Sequence, residues 1–273
     1  MPRAKKRLGQ HFLTDPRILG RIADAVEASR TDTVLEIGPG PGGLTAALAA
    51  RAGRLVAIEK DRGLVPALRE RVPTATIVEA DALEADWHRL AGVPPDAPTP
   101  VAGYIVAGNI PYNLTSPLVE KALEPPSPAR IVFLVQREVA ERVAARPGSD
   151  AYGALSVGVQ AVAAVELLFR VPAGAFAPRP QVDSAVLRLR PLAAPAVSVA
   201  RRHAFRRVVV GMFGFRRKQL LRGLRELTGW DAEVARAALA QAGLAADVRP
   251  ETLGVGEFAA LLDALVDAGW KAD

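Results

Sequence analysis

The two asparagines of the 273-residue chain, Asn109 and Asn113, both fall in the stretch GNIPYNLTSP, residues 108–117. The order acceptor, apolar residue, proline, aromatic at Asn109, Ile110, Pro111 and Tyr112 suits chemistry on the amine of a planar base. An exocyclic amine such as adenine N6 is a poor nucleophile because its lone pair is delocalised into the ring. Two acceptors, the Asn109 side-chain oxygen and the main-chain carbonyl of Ile110, can bind both N–H groups and favour a pyramidal nitrogen whose lone pair faces an electrophile. Tyr112 offers a flat face for stacking the base. Pro111 limits backbone freedom so that the acceptors keep their places. The attacked nitrogen becomes cationic and sheds its proton after transfer, so no strong base is required and catalysis is chiefly alignment and electrostatics. Asn113, beside LTSP, reads as a turn or helix-capping residue.

A second constellation supplies the electrophile. VLEIGPGPGGLTAALA reads as a strand, a tight glycine turn and a helix, and Gly38, Gly40 and Gly43 satisfy G-x-G-x-x-G. The glycines let a ligand approach the backbone without a Cβ in the way. The next strand ends at Glu59, 21 residues after Gly38, where an acid can bind both hydroxyls of a ribose. The third ends in EADAL, which puts Asp81 at the same edge to accept from an adenine amine. One acid suits NAD or S-adenosylmethionine. Two acids, with no Arg or Lys placed to hold a pyrophosphate, favour S-adenosylmethionine, which carries a cationic sulfonium and no phosphate.

The elements that must position these residues alternate. From 33 to about 136, short β-rich runs such as TVLEI, RLVAIE and RIVFLVQ take turns with helical patterns such as RGLVPALRERV. This predicts an α/β fold: a Rossmann-like, mostly parallel sheet with helices on both faces. Right-handed crossovers then set the strand C-termini along one edge, where ligands bind. VELLFRV and SAVLRLR read as two further strands joined by the loop PAGAFAPRPQVD. PLAAPAV, 191–197, reads as a linker, and the remainder of the chain beyond it has helical periodicity. The expected division is a catalytic domain over 1–192, including the basic N-terminal segment, and a small all-helical domain over 193–273.

Charge names a partner. Residues 1–22 carry six Lys/Arg against one Asp, and 201–225 carry nine with no acid, while the whole chain is only +6. Two basic zones on an otherwise acidic protein suggest a polyanion, and nucleic acid is the commonest. The absence of cysteine excludes disulfides, thiolate metal sites and a cysteine nucleophile, and no metal site is expected. The N-terminus has no apolar run behind its charges, and no segment approaches 18 uninterrupted apolar residues, so a soluble, cytoplasmic protein is expected.

Taken together, LGQHFLTD, EIGPGPGGLT, EADAL, GNIPYNLTSP, FAPRPQVDSAVLRL and MFGFRRKQLLRGL, in this order over nearly the whole chain, resemble the ribosomal RNA adenine dimethyltransferases. The resemblance implies S-adenosylmethionine-dependent dimethylation of N6 on two adjacent adenosines in a hairpin loop near the 3′ end of small-subunit rRNA, by a monomer acting on that RNA or its precursor particle. It implies that His11 and Leu13 line the methyl-donor site with Gly38, Gly40, Glu59, Asp81 and Asn109. Many relatives have Asn where His11 stands. It further implies that Phe176 stacks on the target base opposite Tyr112. Lys5, Lys6, Arg7, Arg216, Arg217, Lys218 and Arg222 are then expected to hold phosphates. Rival readings are the related class that methylates one large-subunit rRNA adenosine and confers macrolide resistance, a DNA amino-methyltransferase, an NAD-dependent oxidoreductase, and a non-catalytic RNA-binding factor. The helical domain with FRRKQLLRGL disfavours the first, and GNIPY with the basic helix disfavours the oxidoreductase.

Overall fold

The computed structural model describes residues 4, 5 and 8–271. Two compact units divide the chain, Met1–Ala140 with Ala164–Ala193, and Glu141–Ala163 with Ala194–Asp273.

The first unit is built on strands β2 (Thr33–Ile37), β3 (Arg54–Glu59), β4 (Thr76–Glu79), β5 (Val101–Asn109), β6 (Pro128–Gln136), β7 (Ala163–Val171) and β9 (Ser184–Pro191). They form one sheet in the order β4-β3-β2-β5-β6-β9-β7. The pairs from β4 to β6 are parallel and β9 runs antiparallel to β6. Val34, Leu35, Val106 and Val132 are fully buried, as apolar strands covered on both faces must be. Helices α1 (Pro16–Val26), α2 (Gly43–Ala49), α3 (Val65–Arg71), α4 (Trp87–Ala91) and α5 (Thr115–Ala122) make the connections. Helix α1 starts where Asp15 accepts from the Arg17 N–H at 2.9 Å and Pro16 fills the first position, and it ends at Glu27 in a left-handed conformation. Its buried face, Ile22, Ala23 and Val26, packs in one core with Leu44, Leu48, Ile105 and Val132.

Successive crossovers from β2 run outward through β3 to β4, whereas β5 and β6 lie on the other side of β2. The order therefore reverses between β2 and β5, and the crevice beyond their C-terminal ends is where an open α/β sheet binds its ligand. Their approach there demands glycine: a Cβ on Gly108, opposite Ile37, would stand 2.4 Å from the Ile37 carbonyl oxygen. Two short strands, β1 (Phe12–Leu13) and β8 (Phe176–Ala177), pair antiparallel as a separate ribbon.

The second unit is helical: α6 (Arg137–Val143) leads into it, followed by α7 (Ala154–Gln160), α8 (Arg202–Gly214), α9 (Leu220–Thr228), α10 (Ala232–Gln241) and α11 (Val255–Asp267). It departs from a break at 192/193 by taking in residues 141–163. The cause is aromatic packing, since the Tyr152 ring meets Phe213 edge-on at 5.8 Å, Phe213 stacks on Phe258, and the Tyr152 hydroxyl donates to the Leu253 carbonyl at 2.8 Å. Among the described residues no helix is long and apolar enough to cross a membrane.

Candidate active site

A cavity of about 220 Å³ opens at the reversal point of the sheet, lined by the ends of β2, β3 and β5, the Ala80–Ala82 turn and the segment Leu8–Leu13. Gly38 (φ +67°) donates its N–H to the Ile58 carbonyl at 3.0 Å, and a Cβ there would lie 3.5 Å from the Asn109 carbonyl oxygen. Gly40 (φ +55°) packs under the Phe12 ring, 3.1 Å from where its Cβ would stand. Both positions need left-handed backbone, which glycine adopts without steric cost.

Glu59, only 5% exposed, is held by two backbone donors: the Gly40 N–H reaches Oε2 at 2.9 Å and the Asp61 N–H reaches Oε1 at 2.7 Å. Burial pushes its carboxyl above the usual range, and those N–H groups act against the rise. Asp81 is held differently. Its Oδ2 receives the Lys60 ammonium and its Oδ1 the Leu83 N–H at 3.0 Å; the lysine keeps its carboxyl below the usual range. Next to them Glu36 is buried, its Oε2 has no partner among the described residues, and desolvation, with the Glu59 charge adding to it, pushes it up to about 8.

Asn109, at the end of β5, donates from Nδ2 to the main-chain carbonyl of His11 at 2.9 Å. A carbonyl can only accept, so this contact fixes which end of the amide is nitrogen and leaves Oδ1 as the end free to accept from a ligand. The Pro111 carbonyl is taken by the Leu114 N–H at 3.0 Å, which begins the turn Tyr112–Leu114; the Ile110 carbonyl accepts no hydrogen bond among the described residues. Two unengaged acceptors thus stand one residue apart. Tyr112 is anchored through its hydroxyl, 2.7 Å from Ser184 Oγ, and burial raises its phenol. The His11 ring stacks on Tyr112 at 5.6 Å and 21°, and its Nδ1–H donates to the Pro178 carbonyl at 2.9 Å.

His11, Leu13, Gly38, Gly40, Glu59, Asp81, Asn109, Ile110, Pro111 and Tyr112 therefore surround one cavity. Phe176 is the exception. It is 5% exposed, does not line the cavity, and lies in the core cluster with Leu13, Val171, Ala175 and Val186. Its pairing with Leu13 across the β1–β8 ribbon turns the ring inward, so the platform face expected for it is closed here and His11 lies against Tyr112 instead. Asn113 lies in the turn Tyr112–Leu114, exposed and beside Gly9, and does not cap α5, which starts without a side-chain cap.

Sequence reading missed Lys60, Asp61, Gln10 and Glu36. Lys60 is the one lysine on the cavity wall among the described residues, and Asp81 already holds it. Lys60 and Asp61 come directly after the acid at a strand end, a position where side chains face the same crevice. Of the basic residues expected to meet RNA, Lys6 and Arg7 lie outside the described residues. Lys5 pairs with Asp61 at 2.5 Å. Arg216 is spoken for by Glu251 at 2.6 Å and the Ser149 carbonyl at 3.2 Å, whereas the side chains of exposed Arg217, Lys218 and Arg222 have no partner among the described residues.

Residues 1–265 match the profile of the ribosomal RNA adenine dimethylase family. The ribosomal RNA small subunit methyltransferase A of Pelotomaculum thermopropionicum is 46% identical over 272 residues, covering 97% of this chain and 92% of that protein. The crystal structure of the 23S rRNA methyltransferase ErmE is 30% identical, with 93% of this chain and 99% of that chain covered and a TM-score of 0.70. A dimethyladenosine transferase from Plasmodium falciparum shares the fold at a TM-score of 0.79, with 23% identity and coverage of 95% of this chain and 98% of that one. With the match running almost end to end and the motif residues gathered at the reversal point of the sheet, the chain belongs to the ribosomal RNA adenine dimethylase family.

Proposed function

We propose that this protein transfers methyl groups from S-adenosylmethionine to N6 of two adjacent adenosines of small-subunit rRNA. The observation that carries the proposal is the Asn109 amide, oriented by the His11 carbonyl so that its oxygen is left to accept beside the free Ile110 carbonyl.

The residues fit the methyl donor. The glycine turn leaves bare backbone, Glu59 lies where ribose hydroxyls would be bound, and Asp81 can take an adenine amine by displacing the exposed Lys60. Among the described residues no arginine lines the cavity and the single lysine there is already paired, which suits a ligand without phosphates. When bound, S-adenosylmethionine supplies an electrophilic methyl group on a cationic sulfonium.

In the first transfer Asn109 Oδ1 and the Ile110 carbonyl receive the two N6 hydrogens and direct the nitrogen lone pair. In the second, N6 carries one hydrogen and one methyl, and one of the two acceptors receives that hydrogen. The nitrogen gains a methyl group, becomes cationic and releases one proton to water, so the chain need only align and stabilise. Tyr112, fixed by Ser184, supports the base plane. Stacking by Phe176 on the opposite side requires its ring to leave the core cluster in which it now lies. The adenosine must leave its stack to enter the pocket. Arg217, Lys218 and Arg222 bind phosphates, and Arg216 braces its own unit.

A large-subunit substrate is the second reading, favoured by the likeness to ErmE. The greater identity to a small-subunit enzyme, 46% against 30%, favours the first. Transfer of labelled methyl to under-methylated small subunits and, separately, to large-subunit RNA, with nucleoside analysis of each, decides between them. Dimethyladenosine from the small subunit alone is expected. Label in the large-subunit RNA moves the assignment to the second reading, and label in neither refutes both.

A further inference from the structure

We infer that Asp61 is a positioning residue for methyl transfer, its side chain latching the segment Leu8–Leu13 across the cavity and so holding Asn109 in place, while its backbone N–H holds Glu59. The inference rests on the S-adenosylmethionine reading above.

The Asp61 side chain is 2% exposed, yet its partners are almost all outside its own element. Its Oδ1 receives the Lys5 ammonium at 2.5 Å and the Gly63 N–H at 3.0 Å; its Oδ2 receives the Gln10 amide at 3.2 Å. Lys5 and Gln10 are themselves joined, the Lys5 N–H donating to Gln10 Oε1 at 2.8 Å, so two side chains already tied to each other close on one carboxylate. From Leu8 to His11 the chain is neither strand nor α-helix, and side-chain bonds must do what a ladder would otherwise do.

Two lines lead from this latch to the candidate site. Backward, the Asp61 N–H donates to Glu59 Oε1 at 2.7 Å, the same carboxylate whose other oxygen accepts from Gly40. Forward, the residue after Gln10 is His11, whose carbonyl orients the Asn109 amide, and the next is Phe12, whose ring lies on Gly40. Gly9 (φ +60°) lets the same segment settle against Pro111 and Asn113. The donor-binding acid and the acceptor-orienting amide lie on different strands, β3 and β5, and Asp61 joins them, the first by its backbone N–H and the second through the segment its side chain holds.

The test uses the full chain as wild type, Asp61→Asn, Lys5→Ala, Lys5→Arg and Gln10→Ala. Binding of S-adenosylhomocysteine is measured by calorimetry without RNA, together with amide hydrogen exchange, thermal unfolding, and the KM for S-adenosylmethionine alongside kcat. Charge-assisted hydrogen bonds are strong, so Asp61→Asn is expected to weaken binding roughly tenfold and to lower kcat as well. Exchange should rise in Leu8–Leu13 and stay unchanged in α10. Lys5→Ala and Gln10→Ala should each show a smaller loss, and Lys5→Arg should approach wild type. Binding and exchange in Asp61→Asn equal to wild type overturn the inference, as does a loss that appears only alongside lowered global stability with Lys5→Ala and Gln10→Ala unaffected. Failure of the wild type itself to bind would overturn the cofactor reading and this inference with it.

Discussion

Replacing Asn109 by alanine separates two jobs done by one amide. The nitrogen end holds the His11 carbonyl at 2.9 Å, a neutral hydrogen bond worth about 1 kcal/mol net, so its loss should weaken methyl-donor binding by no more than about fivefold. The oxygen end is a preorganised acceptor needed only when N6 develops positive charge, and removing one such group costs about 2.7–4 kcal/mol, or 10²–10³ in rate. Single-turnover transfer of labelled methyl to the small subunit reads the second quantity, and calorimetry with S-adenosylhomocysteine reads the first. The expected pattern is a large fall in rate with a small change in binding. Asn109→Asp should reverse part of that balance, because a carboxylate oxygen would face the His11 carbonyl where a donor stood, pushing the covering segment away and weakening donor binding more than alanine does. A rate for Asn109→Ala within a few-fold of wild type refutes the two-acceptor mechanism; equal losses in rate and binding refute the division of labour between the two ends.

Glu36 should make the protein less stable as pH rises. With its carboxyl at about 8 rather than the ordinary 4.5, the native chain keeps a proton the unfolded chain has lost between those values, so stability falls across that window, on the order of 1.4 kcal/mol per pH unit from this group. Glu36→Gln should flatten the dependence of Tm on pH, and an unchanged slope would remove Glu36 as its source. Gly108→Ala puts a Cβ 2.4 Å from the Ile37 carbonyl oxygen and should destabilise by about 3 kcal/mol or more, read as a lower urea midpoint; an unchanged midpoint would mean that β2 and β5 can part without cost. Joint replacement of Arg217, Lys218 and Arg222 by alanine should lower the slope of log affinity for RNA against log salt by about 2–3, whereas Arg216→Ala should chiefly lower stability because its partners are Glu251 and Ser149. A salt slope that drops only for Arg216→Ala would reverse these roles.

Sequence made the sheet legible because its signal is local. Each of TVLEI, RLVAIE and RIVFLVQ is a short apolar run between turn residues, and each is a strand with close to those bounds. The same logic placed Glu59, the last residue of β3, at the crevice, whereas Asp81 stands two residues beyond the end of β4, in the turn that lines the cavity. Pattern could not give pairing between distant segments. Residues 141–163 come after one sheet strand and precede another, so chain order assigned them to the sheet domain; they join the helical unit through a tyrosine, Tyr152, whose partners Phe213 and Leu253 lie 61 and 101 residues onward. Phe176 illustrates the same limit. Its residue type alone reads as core, the family resemblance and the prolines of FAPRP read as an exposed platform, and the structure places the ring in the core cluster beside Leu13, its partner far away at the N-terminus. Lys5 reads from sequence as one of a run of free cations, yet Asp61, 56 residues on, takes it.

The chemistry explains why the groups at this site are held so differently. A reaction that needs no base gains nothing from a group tuned to lose a proton near neutrality, and its central side chain, Asn109, does not ionise. Such a reaction needs an acceptor that points one way before substrate arrives, since orienting it during transfer would raise the barrier. A free asparagine could present either end. The backbone carbonyl of His11 removes that choice, but it can do so only while the segment carrying it stays against the sheet. That segment has neither strand nor α-helix from Leu8 to His11, so its hold depends on Asp61 at one end and the two-residue β1–β8 ribbon at the other. The ribbon also keeps Phe176 inward. Opening it to free an aromatic platform would release the carbonyl that orients Asn109, unless Asp61 keeps its grip while β1 separates from β8. If an opened ribbon is what frees Phe176, the latch must therefore stay closed for base stacking by Phe176 and amide orientation by His11 to operate in the same complex.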